Sequence, residues 1–284
     1  MAAGSTVENK SVTLRRYITE EQPVESDMEL KNGKITLSLT EGTKDVLVEN
    51  LYLSPDPYMR NRMREIFDSY IPPFSLGKPI IGFGVSKVLL SNHPDFQVND
   101  IVAGITSWEK YSIIQGGLGL RNVSHIEVPL SYHIGILGLP GLTAYAGFFD
   151  VCTPKEGEQV FVSAASGAVG QLVGQLAKLT GCRVVGSAGS DEKVELLKNK
   201  LGFDDAFNYK KETDLRATLK RYFPDGIDIY FENGTEEFTK YMVSHYKEKR
   251  IIYIEDVMDG LENAPHAFVR LLQGKNIGKQ VIRL

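Results

Sequence analysis

The chain has 284 residues, of which 42% are hydrophobic and 24% are charged, with a formal net charge of −4. This composition is typical of a globular protein long enough for two domains, and without a basic run it argues against nucleic acid as the main partner. The most apolar stretch, residues 134–151, contains Pro140 and several glycines. It favours a buried helix pair over a membrane span.

The cysteines and histidines bear on metal binding and location. Cys152 and Cys182 are the two cysteines, too few for a disulfide framework or a four-cysteine zinc site. The five histidines lack the paired spacing typical of zinc ligands. The first residues lack the charged, apolar and small-residue order of a signal peptide. We therefore expect no metal site and a reducing, cytoplasmic location.

The first part of the chain predicts a β-rich domain. Short apolar runs alternate with polar turns, and residues 41–43 are typical of a hairpin turn. Many short strands separated by glycine turns favour a barrel-like domain. An irregular segment with Tyr58 near its start interrupts the strands, and such loops often carry function. Strands are expected at residues 11–14, 35–39, 45–53, 80–85, 100–103 and 111–114.

From residue 129 the pattern becomes helical, with a break at 138–141, and then a nucleotide-binding signature follows. Residues 159–162 read as a buried strand, residues 165–170 as a tight A-x-G-x-x-G turn, and residues 168–180 as a helix. Gly167 lets the backbone approach a pyrophosphate, while Gly170 permits close packing of helix on strand. This order is the start of a dinucleotide-binding fold.

Further strand–helix units follow in step, which strengthens this interpretation. After a fourth strand ending at Glu232 and Asn233 only one amphipathic helix, residues 234–249, precedes the next apolar run. A complete doubly wound sheet would need two more units, on the order of fifty to sixty residues. The predicted strands are 183–187, 206–208, 227–231, 251–254 and 280–282, and the helices 191–200, 212–222 and 261–272.

The predicted fold class is therefore α/β, with an apparently truncated Rossmann-like nucleotide-binding domain and a β-rich, GroES-like barrel domain for the substrate. The nucleotide-binding domain is expected at residues 130–250 and is incomplete after 233. The β-rich domain is expected at residues 1–129 and 251–284, because the last turn and strand close it.

The end of the second nucleotide-domain strand favours NADPH over NADH. An NAD site usually has a carboxylate there, which accepts from the ribose 2′-hydroxyl. Here residues 185–190 contain no acid, and Lys193 follows one turn into the next helix. The small residues leave room for a 2′-phosphate, to which Lys193 could supply a counter-charge and Tyr209 a hydrogen bond.

Taken together, these segments resemble the zinc-independent double-bond reductases of the medium-chain dehydrogenase/reductase superfamily. The similarity is greatest to plant NADP-dependent alkenal reductases, and prostaglandin reductases are more distant. It covers almost the whole chain. The motifs that carry it are residues 50–60, 128–132, 141–148, 163–174, 227–233 and 274–279.

This resemblance implies hydride transfer from NADPH to the β-carbon of an α,β-unsaturated aldehyde or ketone. It places Tyr58 in the substrate pocket as the candidate catalytic residue. Phe83 lies in the same pocket, where the family usually has a tyrosine. Conjugate hydride addition needs a donor for the developing enolate and a proton for the α-carbon, but no zinc. The implied cofactor-binding residues are Ser166, Gly167, Ala168, Val169, Gly170, Gly189, Lys193, Tyr209, Asn233 and Asn276.

The chain departs from the family after Asn233. Relatives continue with a diglycine, a helix, and a strand followed by a loop whose tyrosine is a proposed proton donor. The outer strand through which the family forms homodimers is also missing. Half of the protein surface that would contact the nicotinamide is therefore expected to be absent. Two alternatives to the enal or enone reductase remain open. One is a truncated nucleotide-binding variant with weak or no activity, and the other is a quinone reductase using one-electron chemistry.

Overall fold

The computed structural model describes residues 4–69, 71–231 and 249–284. The chain divides into two compact units. The first comprises Met1–Ile134, Val257–Lys275 and Gln280–Leu284, and the second comprises Gly135–Asp256 and Asn276–Lys279.

The described residues form thirteen strands. They are β1 (Thr6–Leu14), β2 (Met28–Thr36), β3 (Val46–Leu53), β4 (Ile81–Ser91), β5 (Ile101–Ser107), β6 (Tyr111–Ile114), β7 (Arg121–Asn122), β8 (Gln159–Val162), β9 (Arg183–Ala188), β10 (Asp205–Asn208), β11 (Ile229–Tyr230), β12 (Glu255–Asp259) and β13 (Lys279–Arg283).

The helices of these residues are mostly short. The α-helices are α1 (Met59–Arg62), α2 (Leu139–Ala146), α3 (Gly170–Leu179), α4 (Asp191–Asn199), α5 (Leu215–Tyr222) and α6 (Ala264–Leu272). Single turns of 3-10 helix occur at Glu25–Asp27, Gln115–Gly117, Leu130–Ile134, Tyr209–Lys211 and Leu261–Asn263, and a π-helical turn at Gly147–Val151.

The first unit is built on antiparallel sheets. Over the described ranges, β1 and β2 form a two-stranded sheet, and a seven-stranded sheet has the order β12-β13-β3-β4-β5-β7 with β6 also paired to β3. The turn at residues 41–42 joins β2 to β3, which lie in different sheets. The expectation of a hairpin at 41–43 was therefore wrong, because β2 takes β1 as its partner over its whole length.

The core of the first unit packs α6 against strand residues. Trp108 is fully buried, and its ring meets that of Phe268 edge-on, with centroids 5.9 Å apart. Leu14, Met59 and Ile282 are equally buried in the same cluster. Burial of this apolar surface stabilises the unit by roughly 25 cal/mol per Å².

The second unit contains a parallel sheet of four described strands in the order β10-β9-β8-β11. Helix α3 packs close to this sheet at two glycines. A Cβ built on Gly174 would overlap the ring of Phe203, and one on Gly186 would lie 3.0 Å from the same ring. The β8–α3–β9 order places the turn before α3 at the carboxyl ends of the strands, where nucleotides bind in such sheets.

One predicted strand in the second half needs correction. The apolar run 251–254 is not a strand, and the strand begins at Glu255 instead. The reason is that glutamine side chains of α3 bond to both main-chain groups of Ile252 and to Ile254 N. The bond with β13, from Lys279 N to Ile254 O at 2.9 Å, is made at the end of the run, directly before Glu255. The predicted helix 234–249 and the predicted site residue Asn233 lie outside the described residues, apart from position 249.

In the part of the chain that the structure describes, no helix combines the length and the apolar character needed to cross a bilayer.

Candidate cofactor and substrate sites

The glycine turn between β8 and α3 has the form needed to hold an anion. Ala165 N donates to Ser187 O at 2.9 Å, and Gly167 N to Ala164 O at 2.9 Å, which fixes the turn. A Cβ on Gly170 would lie 2.7 Å from Ala164 O, so only glycine fits at the start of α3. The N–H groups at the start of this ten-residue helix favour a negative ligand.

Residues near the end of the chain contact this turn directly. Gly278 N donates to Ser166 O at 3.0 Å, and Gly278 forms an isolated parallel bridge with Gly167. Asn276 is buried, and its Nδ2 donates to Gly278 O at 2.7 Å. The structure therefore brings Asn276 together with Ser166 and Gly167, although more than a hundred positions separate them in sequence.

A second cluster lies at the end of β9. A Cβ on Gly189 would lie 3.1 Å from Tyr209 Oη, so these two predicted residues are neighbours. It would also lie 3.5 Å from Lys210 Nζ, which the sequence analysis did not single out. Lys193 is the third residue of α4, and its N–H donates to the capping hydroxyl of Ser190 at 3.4 Å.

The carboxylate nearest this cluster in sequence is occupied by other partners. Asp191 Oδ1 accepts from Asn208 Nδ2 at 2.9 Å, and Asp191 Oδ2 accepts from Lys211 Nζ at 2.5 Å. The hydrogen bond from Asn208, followed by that from Lys211, lowers the pKa of Asp191. Its charge is thereby balanced by Lys211, which reduces the repulsion that a phosphate beside Gly189 would meet.

These groups fit a dinucleotide with a 2′-phosphate. The turn requires glycine at Gly170, where α3 begins, and β9 ends in Ser187 and Ala188 without an acid. A hydroxyl and an ammonium group lie beside Gly189. Lysine ammonium and tyrosine hydroxyl groups are suitable partners for phosphate.

Tyr58 lies in the first unit, directly before α1. The loop that presents it is fixed by Asp56, which accepts from Ser54 Oγ at 2.7 Å through Oδ2 and from Met59 N at 3.1 Å through its carbonyl. The half-buried Tyr58 ring meets Phe83 edge-on, with centroids 6.5 Å apart. The two predicted pocket residues are therefore in contact.

Arg62 is a neighbour of Tyr58 that the sequence analysis missed. Its Nε donates to Pro72 O at 3.0 Å, its Nη1 donates to Ile81 O at 3.2 Å, and the guanidinium lies 4.3 Å from the Phe74 ring centre. Burial lowers the pKa of Arg62, and interaction with the Tyr58 hydroxyl opposes that shift. The four-residue spacing on one helical turn was the available signal.

Two other titratable side chains, His133 and Cys182, are buried. His133 is 1% exposed, and neither ring nitrogen has a partner among the described residues. Burial, with Arg121 and His125 nearby, lowers the pKa of His133 to about 4. Burial raises the pKa of Cys182, whose Sγ lies 3.4 Å from Lys155 O. Over the described ranges, no group of three or more His, Cys, Asp or Glu side chains could hold a metal ion.

Two family profiles match the chain. The family described as the N-terminal domain of oxidoreductase matches residues 10–123. The family described as zinc-binding dehydrogenase matches residues 168–249.

Individual proteins are similar over nearly the whole length. The chain is 50% identical to 2-alkenal reductase (NADP(+)-dependent) of Nicotiana tabacum, over 97% of each chain. It is 42% identical to (+)-pulegone reductase of Mentha piperita, over 97% of this chain and 98% of the relative. The structure of CurA from Vibrio vulnificus in complex with NADPH matches with a TM-score of 0.85 and 32% identity, over 96% of this chain and 98% of CurA.

These similarities confirm the predicted fold class and NADP(H) as the cofactor. The alignment with the tobacco protein runs over 335 residues, more than the 284 of this chain. The relative therefore has residues that this chain lacks. With identity of this level over nearly the full length, the chain belongs to the zinc-independent double-bond reductases of the medium-chain dehydrogenase/reductase superfamily, the family of the NADP-dependent alkenal reductases.

Proposed function

We propose that this protein reduces the carbon–carbon double bond of α,β-unsaturated aldehydes or ketones with NADPH. The observation that carries this conclusion is the 50% identity to the NADP-dependent 2-alkenal reductase. The end of β9, which carries no acid, and the turn that requires glycine at Gly170 support the cofactor side of this proposal. The alternative of an inactive nucleotide-binding variant is not favoured.

The cofactor side of the site is assigned to the second unit. We propose that N–H groups of the glycine turn bind the pyrophosphate, and that Gly189, Lys193 and Tyr209 surround the 2′-phosphate. Asn276 stabilises the turn through its hydrogen bond to Gly278 O. We propose Asn276 and Asn233 as two further cofactor-binding residues. The residues proposed for the turn are Ser166, Gly167, Ala168, Val169 and Gly170.

The substrate side is assigned to Tyr58 and Phe83. Bound NADPH supplies the hydride for the β-carbon, and the reaction consumes one proton at the α-carbon. We propose that the Tyr58 hydroxyl donates a hydrogen bond to the carbonyl oxygen, where negative charge develops in the transition state. Phe83, packed against the Tyr58 ring, holds that ring and gives the pocket an apolar wall.

Domain roles, assembly and location are also proposals. We propose the first unit as the substrate domain and the second unit as the NADP-binding domain. Compared with the expected division into 1–129 with 251–284 and 130–250, residues 251–256 and 276–279 move to the NADP-binding domain. Cys152 and Cys182 are not joined in a disulfide, which supports a cytoplasmic location. We propose that the family's dimerisation strand is missing, so that light scattering on the purified chain should give a mass near the 31.6 kDa monomer.

The experiment that tests the function is NADPH oxidation in the presence of enals and enones, followed by absorbance. The wild-type chain should oxidise NADPH only when an unsaturated carbonyl compound is present. Tyr58→Phe should lower kcat by about 10²-fold, since it removes the donor to the developing enolate. NADPH binding should be unchanged in this variant.

One result would contradict the proposal. A wild-type chain that binds NADPH tightly but oxidises none of it with any enal or enone is a nucleotide-binding variant and not a reductase.

A further inference from the structure

The turn after β10 points neighbouring side chains toward two different positions, Gly189 and Asp191. Asn208 Oδ1 accepts from Lys210 N at 3.1 Å and so caps the 3-10 turn Tyr209–Lys211. The Tyr209 hydroxyl and the Lys210 ammonium group approach Gly189, whereas Lys211 Nζ binds Asp191. One tight turn therefore directs the side chains of two adjacent lysines, Lys210 and Lys211, to different neighbours.

Lys210 differs in its charge partners from two other lysines of the second unit. Lys211 pairs with Asp191 at 2.5 Å, and Lys178 pairs with Asp204 at 2.8 Å. Within the described ranges, no carboxylate lies within ion-pair distance of Lys210. Its ammonium group is nevertheless close to Gly189, since a Cβ there would lie 3.5 Å from Nζ and 3.3 Å from Cε.

We propose that Lys210 determines cofactor specificity by contributing a positive charge to the 2′-phosphate of NADP(H). This proposal rests on the proposed function, because it uses the phosphate position assigned to Gly189, Lys193 and Tyr209. Lysine binds phosphate as a point charge, so its contribution depends on the charge being within reach. Lys211 has a different role, because it balances Asp191 and so keeps that carboxylate from repelling the same phosphate.

The test measures binding to the whole chain by calorimetry with two probes that differ in one phosphate. The probes are 2′,5′-ADP and 5′-AMP. Lys210→Gln should weaken binding of 2′,5′-ADP about tenfold, the size expected for one charge-assisted hydrogen bond, and leave 5′-AMP binding unchanged. Lys210→Arg should keep most of the affinity for 2′,5′-ADP.

Lys220→Gln is the matched control. Lys220 is an exposed lysine of α5 in the same unit, so its loss changes the net charge equally without touching Gly189. This variant should bind 2′,5′-ADP like the wild type. The salt dependence of 2′,5′-ADP binding should be weaker for Lys210→Gln than for Lys220→Gln.

The possible failures are distinguishable. If Lys210→Gln binds 2′,5′-ADP as tightly as Lys220→Gln while Lys193→Gln binds it weakly, the assignment of Lys210 is wrong and the 2′-phosphate site stands. If the wild-type chain binds 2′,5′-ADP no more tightly than 5′-AMP, both the assignment of Lys210 and the proposed 2′-phosphate site are overturned.

Discussion

The side chain of Gln171 binds the main chain of Ile254 at both of its polar groups. Ile254 N donates to Gln171 Oε1 at 3.0 Å, and Gln171 Nε2 donates to Ile254 O at 3.1 Å. One turn along α3, Gln175 makes the same pair of bonds to Ile252 at 2.8 and 2.9 Å. Helix α3 thus provides, through two side chains, four hydrogen bonds of the kind that a neighbouring strand would normally supply, and Ile254 O also accepts from Lys279 N of β13.

Gln171→Leu should therefore lower the free energy of unfolding by about 1–3 kcal/mol, because Gln171 is fully buried and Ile254 N would lose its partner. Urea unfolding measures this loss. Gln273→Leu, at an exposed position after α6, is the control and should change stability by less than about 0.5 kcal/mol. Equal stability of the two variants would show that the pairing contributes nothing.

Gly174→Ala should destabilise the second unit, because the added methyl group overlaps the ring of buried Phe203. Overpacking of this kind costs about 1–3 kcal/mol and would be seen as a lower melting temperature. The double variant Gly174→Ala with Phe203→Leu should recover part of the loss, since the smaller side chain leaves room. If the stability change of the double variant equals the sum of the changes in the two single variants, contact with the Phe203 ring is not the cause of the destabilisation.

His133 should make stability fall in acid. Its pKa in the folded chain is about 4, below the ordinary value of 6.5, so folding disfavours the protonated ring. The stability that this group contributes is complete above pH 6.5 and is lost as the pH falls to about 4, in total about 3 kcal/mol. Urea unfolding at about pH 7.5 and pH 5 should show this slope, and His133→Leu should flatten it. An unchanged slope in the variant would assign the acid sensitivity to other groups.

Phe83→Tyr should change catalysis without changing cofactor binding. The new hydroxyl would enter the proposed substrate pocket beside Tyr58, whose ring is in edge contact with Phe83. One added hydrogen bond to a substrate oxygen, worth about 1 kcal/mol, should raise kcat/KM for enones about fivefold. Steady-state kinetics with one enone and a fixed, saturating NADPH concentration measure this. A decrease in kcat/KM would contradict this prediction and would show that the apolar wall proposed for Phe83 matters more than an added hydrogen bond.

The nucleotide-binding turn could be predicted from sequence because local patterns determine it. Strand β8 has the expected bounds, Gln159–Val162, since its apolar run is flanked by polar residues. The glycine spacing after it likewise reports a backbone requirement that the structure shows at Gly170.

The features that could not be predicted from sequence depend on contacts between residues that are far apart in the chain. Residues 251–254 have strand-like composition because Ile251 and Tyr253 are buried. Four of the main-chain hydrogen bonds of Ile252 and Ile254 are to glutamine side chains about eighty positions away, and Ile254 O also accepts from Lys279 N. Strand β12 starts with Glu255 and Asp256, and its alignment depends on β13. Lys210 and Lys211 are adjacent and identical in type, so only the three-dimensional turn separates the one beside Gly189 from the one that binds Asp191.

The burial of Trp108 has a consequence for spectroscopy of this protein. It is the single tryptophan of the chain, and it lies fully buried against Phe268 in the core of the first unit. Its emission should therefore be blue-shifted in the native state and should report the unfolding of that unit alone. A probe placed in the second unit would report the other transition, and the two curves would coincide only if both units unfold as one cooperative system.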